Sequence, residues 1–364
     1  MHVVECLTHS ELGGGQAVVC MLVNLLKRFH PELNLTVILP PGGSYVDRFR
    51  KLDVRVVEFP FDRISLISIF RTYLLLRTLK PDVIHSHGKG AGFYARLFPR
   101  FLMRAKRIHM HHGFHPPEQT FPRRMYILLE KYLLRQGEYV ITVSESETKG
   151  VGGVFPSAKI KTIPNIVDRD EIRESSRGEL SGDVENFLSR NKKSFVVTMI
   201  GRNDPVKNYP LAFESCKMLL ERGKDFAFIF VGIDGEDGEF KRLMSLYPRS
   251  IFGIPFSDNT NALVHRSNVI LLTSKKEGSP LTVLEAFSLG KPVVGTNVDG
   301  IRDLVTHGHN GLLCEQSAPS IAEALEEIAA DEHLYRKLSQ NASQTAAHMD
   351  KKVWTENYYR LYLS

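Results

Sequence analysis

The chain has 364 residues, 43% of them hydrophobic and 24% charged, with a formal net charge of +6. That length accommodates two domains, each with its own core, and the composition is that of a soluble globular protein rather than a disordered one. Four scattered cysteines, Cys6, Cys20, Cys216 and Cys314, show no C-x-x-C spacing, which argues against a disulfide or zinc framework and for a reducing compartment.

Charge is distributed unevenly. Residues 1–170 hold 24 Lys and Arg against 15 Asp and Glu, whereas the remainder holds 23 against 26. A basic first half suits an anionic partner, with nucleic acid and a phospholipid surface as the candidates. Met1-His2-Val3-Val4-Glu5 reads as the start of a strand and lacks the basic and apolar regions of a signal peptide. The longest apolar stretch, Ile64 to Leu79, is broken by Arg71, Thr72 and Arg77, so no membrane span is expected.

Val3 to Leu7 reads as a first strand, followed by Gly13-Gly14-Gly15 and a helical stripe of Val18, Val19, Leu22, Leu25 and Leu26. Glycines between a strand and a helix let backbone N–H groups approach a phosphate, but a plain turn fits the pattern as well. Further strands are expected near Leu35–Leu39, Val54–Val57, Asp82–His85, Arg107–His111 and Tyr139–Ser144, with helices around 64–80, 88–103 and 120–135. Such alternation implies a mainly parallel sheet covered on both faces, with ligands beyond the carboxyl ends of its strands.

Six histidines, His85, His87, His109, His111, His112 and His115, fall close together near those ends. A metal site would need a supporting ligand motif, and none accompanies them. Contact of one or two histidines with a ligand is the better reading. Between Phe93 and Arg107, aromatic and aliphatic residues interleave with Arg96, Arg100, Arg104, Lys106 and Arg107. An amphipathic basic helix here would either lie on an anionic membrane or pack on the core with a solvated basic side. No nucleic-acid-binding motif is present.

Residues 168–193 are rich in charge, Ser and Gly and read as a linker between a first domain, 1–167, and a second, 194–345. The second repeats the alternation. Phe195–Ile200 is a strand, and the loop after it carries Arg202 and Lys207, which could both reach a diphosphate or could simply form surface ion pairs. Asp234 to Gly238 lacks calcium-loop spacing and reads as a turn. Val269–Thr273 is a buried strand, Ser279 and Pro280 suit an N-cap and first helical position, and Gly290 stops the helix. Glu277 in the loop and Glu285 on the helix frame an N-terminus whose free N–H groups suit phosphate or sugar oxygens. Residues 346–364 close the chain with an aromatic, amphipathic helix expected to dock elsewhere.

These motifs together resemble the retaining glycosyltransferases of family 4. In the second half the resemblance is carried by Gly201-Arg202 with Lys207, Glu277-Gly278-Ser279-Pro280-Leu281, Leu284-Glu285-Ala286, Gly290-Lys291-Pro292, Gly300 and Asn310-Gly311. In the first half it is carried by Gly13-Gly14-Gly15-Gln16, Pro81 to Gly88, His112-Gly113, Val143-Ser144 and Pro164-Asn165. It spans essentially the whole chain. Two departures are Ile166, where the family commonly has Gly, and Leu272-Thr273-Ser274 in place of Pro-Ser.

The resemblance implies an α/β GT-B fold: two Rossmann-like domains with parallel sheets facing across a cleft, the donor held mainly by the C-terminal domain. It implies that Arg202 and Lys207 neutralise the donor diphosphate in place of a metal, that Glu285 binds the ribose, and that Glu277 is a catalytic acid facing the transferred sugar. Backbone groups of Ser279, Pro280, Leu281 and Thr282 would meet sugar or phosphate, Ile254 would line the donor site, Gly14 and Gly15 would approach the phosphates, and His112 would sit at the reaction centre. The expected activity is transfer from a UDP-sugar to a lipid-linked saccharide at the cytoplasmic membrane face. No cofactor or metal is expected. A nucleotide-sugar epimerase on the same fold and a non-catalytic binding module are the alternatives.

Overall fold

A computed structural model describes residues 1–61, 65–114, 116, 119–233, 237–255 and 259–364. His115 and the Asp234–Glu236 part of the expected turn lie outside them. The chain opens with β1 (His2–Leu7), α1 (Gly14–Phe29), β2 (Asn34–Leu39), α2 (Ser44–Lys51), β3 (Arg55–Glu58) and α3 (Leu66–Leu79). It continues through β4 (Val83–His87), α4 (Gly88–Arg96), β5 (Lys106–Met110), α5 (Thr120–Gln136), β6 (Tyr139–Thr142), α6 (Glu145–Val154) and β7 (Ile160–Thr162). Next are α7 (Arg169–Ser175), α8 (Gly182–Arg190), β8 (Phe195–Ile200), α9 (Tyr209–Glu221), β9 (Phe226–Val231), α10 (Gly238–Leu246) and β10 (Ile251–Ile254). The chain ends with α11 (Thr260–Arg266), β11 (Val269–Leu272), α12 (Leu281–Ser288), β12 (Val293–Thr296), β13 (Gly311–Cys314), α13 (Ala318–Ala330), α14 (Glu332–Ala347) and α15 (Lys351–Leu363).

These elements form two units, one of Met1–Ile166 with Asp350–Ser364 and the other of Val167–Met349. In the first, a parallel sheet runs β3-β2-β1-β4-β5-β6-β7; in the second, another runs β10-β9-β8-β11-β12-β13. Both are Rossmann-like. Strand order reverses between β1 and β4 in one sheet and between β8 and β11 in the other, and loops diverging there leave a crevice at the carboxyl edge. The segment 168–193, expected as a linker, instead carries α7 and α8. Val184, Phe187 and Leu188 of α8 are buried with Val196, Ala227 and Ile229, so enough apolar side chains lie among its charges to fold it onto the second sheet.

The expected basic helix over Phe93–Arg107 does not form. Helix α4 ends at Arg96 and β5 begins at Lys106. Arg96 is buried against Glu130, with Nη1 2.7 Å from Oε1, and Arg107 donates to the carbonyls of Phe98 and Met103. Both guanidinium groups therefore tie loops together from inside the unit, and neither adds to a solvated basic face. The aromatic tail also packs in the first unit: Trp354 donates to Pro164 O at 2.9 Å and Tyr359 stacks on His30.

Candidate active site

At the carboxyl edge of the second sheet, β8 leads into a loop tightened by Asp204, whose Oδ1 accepts from Val206 N–H at 3.0 Å and Lys207 N–H at 3.1 Å. Thr273, just past β11, donates its hydroxyl to Lys207 O at 2.9 Å, and Lys275 N–H donates to Val206 O at 2.8 Å. The loops after β8 and β11 are thus held together across the reversal point. Their side chains meet there: Lys207 Nζ lies 2.7 Å from Glu277 Oε1, and Ser274 Oγ donates to the same oxygen at 2.6 Å. This pair is largely screened from solvent, whereas Arg202 is 81% exposed and only 3.9 Å from Asp204. An ion pair that exposed contributes little, so Arg202 is available to a ligand.

Gly300 explains how Glu277 is held. Its φ is +80°, and a Cβ there would lie 2.6 Å from the Glu277 backbone, so glycine meets both a left-handed conformation and a close approach. Glu277 N–H in turn donates to Asp299 O at 3.2 Å.

Helix α12 starts one residue later than expected. Its N-cap is Pro280, with no side-chain cap, and Ser279 is buried ahead of it in the loop. A proline cap leaves the first-turn N–H groups, from Leu281 onward, without the side-chain acceptor that Ser or Asp would supply. Glu285 lies one turn further along. Burial pushes its carboxyl up to about 7, and among the described residues no cation or hydrogen-bond donor offsets that cost. A raised acid with nothing to offset it, beside a strand-end crevice, makes Glu285 a candidate ligand-binding group.

Two further motif residues make backbone-directed contacts. Ile254 ends β10, accepts Gly232 N–H on its carbonyl at 2.8 Å and packs beside Leu263 and Phe187. It sits at the same edge, half-buried against the core. Asn310 is buried and folds its own turn, accepting from Thr306 N–H at 2.8 Å and donating to Leu304 O at 3.1 Å. That motif position is structural.

In the first unit, Gly14 opens α1, and a Cβ on Gly15 would lie 3.4 Å from the His112 ring. Gly14, Gly15 and His112 therefore come together beside the β1–β4 reversal. His112 has φ +56°, and the next N–H, of Gly113, donates to Glu147 Oε1 at 2.8 Å. Glu147 also accepts from Val143 N–H at 2.7 Å, and so joins the loops after β5 and β6. Sequence reading passed over Glu147, although an acid three residues beyond Ser144 is a capping-box signal.

Two histidine groups lie close enough to hold a cation, Glu5/His85/His87 and His109/His111/Glu130. Each is bonded internally: Glu5 to His87 at 2.7 Å, His109 to His111 at 3.2 Å and Glu130 to Arg96. Among the described residues, His85 Nε2 is buried without a hydrogen-bond partner.

Comparison with known proteins agrees with this layout. A family model described as Glycosyl transferases group 1 matches residues 183–345, and one described as Glycosyltransferase Family 4 matches residues 12–171. The chain is 30% identical over 343 residues to an Escherichia coli UDP-Gal:alpha-D-GlcNAc-diphosphoundecaprenol alpha-1,3-galactosyltransferase, covering 89% of this chain and 86% of that relative. It is 23% identical over 370 residues to a Campylobacter jejuni N,N'-diacetylbacillosaminyl-diphospho-undecaprenol alpha-1,3-N-acetylgalactosaminyltransferase, covering 96% of each. Among solved structures, Anabaena HepE in complex with UDP and glucose superposes with a TM-score of 0.80 at 18% identity over 99% of each chain, a likeness of fold.

Proposed function

This chain belongs to glycosyltransferase family 4, and from that premise we propose that it moves a sugar from a UDP-sugar to a lipid-linked saccharide, with retention of anomeric configuration and without a metal. The observation that carries the reading is Glu285, a half-buried acid pushed up by loss of solvent, with no protein partner among the described residues, one turn from a helix N-terminus that has no side-chain cap. Ribose hydroxyls are the donors that would satisfy it. The α12 N-terminus, Lys207 and Arg202 would take the diphosphate, which removes the need for a divalent cation. Glu277 would face the sugar and stabilise positive charge developing at its anomeric carbon.

The acceptor reading rests on the relatives, two of which act on sugars attached to diphosphoundecaprenol. A surface of the first unit suits such a substrate. Leu66, Ile67, Phe70 and Leu74 of α3 and Phe121, Met125 and Leu128 of α5 are all exposed, with Arg71, Arg77, Arg123, Arg124 and Lys131 among them. Between these helices lies the exposed Phe101, in a segment contacted by Tyr73 of α3 through Phe98 and by Tyr132 of α5 through Leu97 O. An apolar face rimmed by cations fits the anionic inner leaflet of a bilayer. Among the described residues, no helix is long and apolar enough to cross a membrane, and docking by this face would be peripheral.

The test is incubation with a panel of UDP-sugars, UDP-galactose first, and an undecaprenyl-diphosphate-linked N-acetylhexosamine. UDP release together with an extended acceptor is expected, with an α-linked product from an α-donor by NMR and an unchanged rate in EDTA. Conversion of the donor sugar without acceptor would favour an epimerase; UDP-sugar binding without turnover would favour a binding module. An inverted linkage or strict metal dependence would refute those parts of the mechanism.

A further inference from the structure

From Val3 onward strand β1 is buried, and apolar apart from one acid. Glu5 lies between Val4 and Cys6 with no exposed surface, a placement that is tolerated only when donors surround the carboxylate. Parallel pairing of β1 with β4 puts Glu5 opposite His85 and Leu7 opposite His87, so the two imidazoles project on the same side as Glu5. His87 Nε2 is 2.7 Å from Glu5 Oε2, the Tyr362 hydroxyl donates to Oε1 at 2.8 Å, and His85 Nδ1 is 3.1 Å from Oε2. On the other side of its ring, His87 Nδ1 lies 3.0 Å from His112 Nε2. A chain of bonds therefore runs from α15 through β1 and β4 to the loop after β5.

The carboxylate fixes the direction of those bonds. Glu5 is held ionised, well below the usual carboxylate range, by His85 and His87 despite its burial, and an ionised carboxylate only accepts. His87 must then carry its proton on Nε2. Burial and the nearby His85 hold His87 neutral, pulled down to about 4, so its Nδ1 is a lone pair that accepts from His112 Nε2–H. His112 is also kept neutral, by burial and by His87, His85 and His111, with Glu5 opposing; the Tyr358 and Tyr362 phenols behind Glu5 add no charge. The Cδ2–Nε2 edge of the ring lies over Gly15, so a flip would lose both that contact and the bond to His87.

We infer that Glu5 and His87 are positioning residues for sugar transfer: they lock His112 in the Nε2–H form, so that its Nδ1 offers a lone pair to a hydroxyl of the donor sugar. The inference rests on the transferase reading for its catalytic meaning, though the geometry of the relay stands apart from it.

Imidazole 15N NMR of the full histidine-labelled chain near neutral pH tests it. His87 and His112 should both show a protonated Nε2 and an unprotonated Nδ1. In Glu5→Gln the amide can donate to His87 Nε2, which reverses the chain and moves the His112 proton to Nδ1; kcat should fall about tenfold or more with KM for the donor little changed. Tyr362→Phe, which leaves the Glu5–His87 bond, should retain the wild-type tautomers. A wild-type His112 protonated on Nδ1, a tautomer unaltered by Glu5→Gln, or an unaltered kcat in that variant would overturn the inference. Should Glu5→Gln fail to fold, the wild-type spectrum decides. That spectrum needs no substrate, so a wrong tautomer and a wrong enzyme class are seen separately.

Discussion

The two strand-end crevices are built on the same topology and use opposite electrostatics. At the edge of the second sheet Arg202, Lys207 and Glu277 are ionic groups that keep some contact with solvent, and Glu285 is an acid raised by burial. At the edge of the first they are imidazoles stripped of charge by burial, with Glu5, the one ionised member of the relay, set far back. The difference follows from depth. Arg202, Lys207 and Glu277 keep their ions near solvent or beside a partner, whereas His87 on β4 and His112 on the loop after β5 are buried deeply enough to lose theirs. On the proposed reading a nucleoside diphosphate would find its counter-charge on the second unit, while the first would offer backbone N–H groups and neutral acceptors.

The sharpest break of this contrast is Glu277→Ala, for which transfer should fall by about 100- to 1,000-fold, as when one oxyanion-type contact is removed, in steady-state UDP release. Wild-type activity in this variant would remove Glu277 from the mechanism. Next, Lys207→Ala should weaken UDP binding by about 10- to 100-fold in calorimetry, the worth of a charge-assisted bond. His112→Ala should lower kcat while leaving UDP affinity nearly intact; the reverse pattern would erase the division between the two edges.

Glu285→Gln should move stability and affinity in opposite directions. Its carboxyl is raised from 4.5 to about 7, so it stabilises the fold below about pH 4.5 and loses that contribution as pH rises through about 7. The amide removes the charge, raising stability near pH 8 by up to about 3 kcal/mol, near pH 5 by under about 1 kcal/mol and hardly at all near pH 4. UDP should nevertheless bind the variant more weakly, because the ribose loses a charged acceptor. A thermal-shift series over pH with and without UDP separates the two effects, and a destabilised variant near pH 8 would disprove the account of Glu285. The smallest effect concerns the surface. A Phe121→Glu, Leu128→Glu double variant should lose flotation with anionic liposomes yet keep its rate on a water-soluble acceptor. Undiminished flotation would exclude α5 as the docking face.

Much of this was legible in the chain itself. Short apolar runs alternating with helical stripes implied two parallel sheets, and the structure has them. The glycines of the donor edge were also readable, though their reasons were not: Gly300 is required by the backbone of Glu277, and the Asn310 turn serves folding. Arg96 and Arg107 looked like a solvated basic face and are buried, because local spacing cannot reveal an acid on α5 or open carbonyls in the loop between them. Tyr362 and Glu5 lie 357 residues apart, and no pattern within either segment signals the other. A single acid inside the apolar run Val3–Leu7 was the one available sign.

Sequence alone determined the elements, the fold class and the charged residues of the donor edge, since periodicity, turn chemistry and residue type are local properties of a chain. Tertiary structure decided which of those charges survive and which way their protons point. It paired Lys207 with Glu277, gave Glu285 no partner among the described residues, silenced two arginines and linked His112 to Glu5 through His87. Protonation depends on burial and on neighbours brought in from distant strands, and both exist only once the sheets have formed.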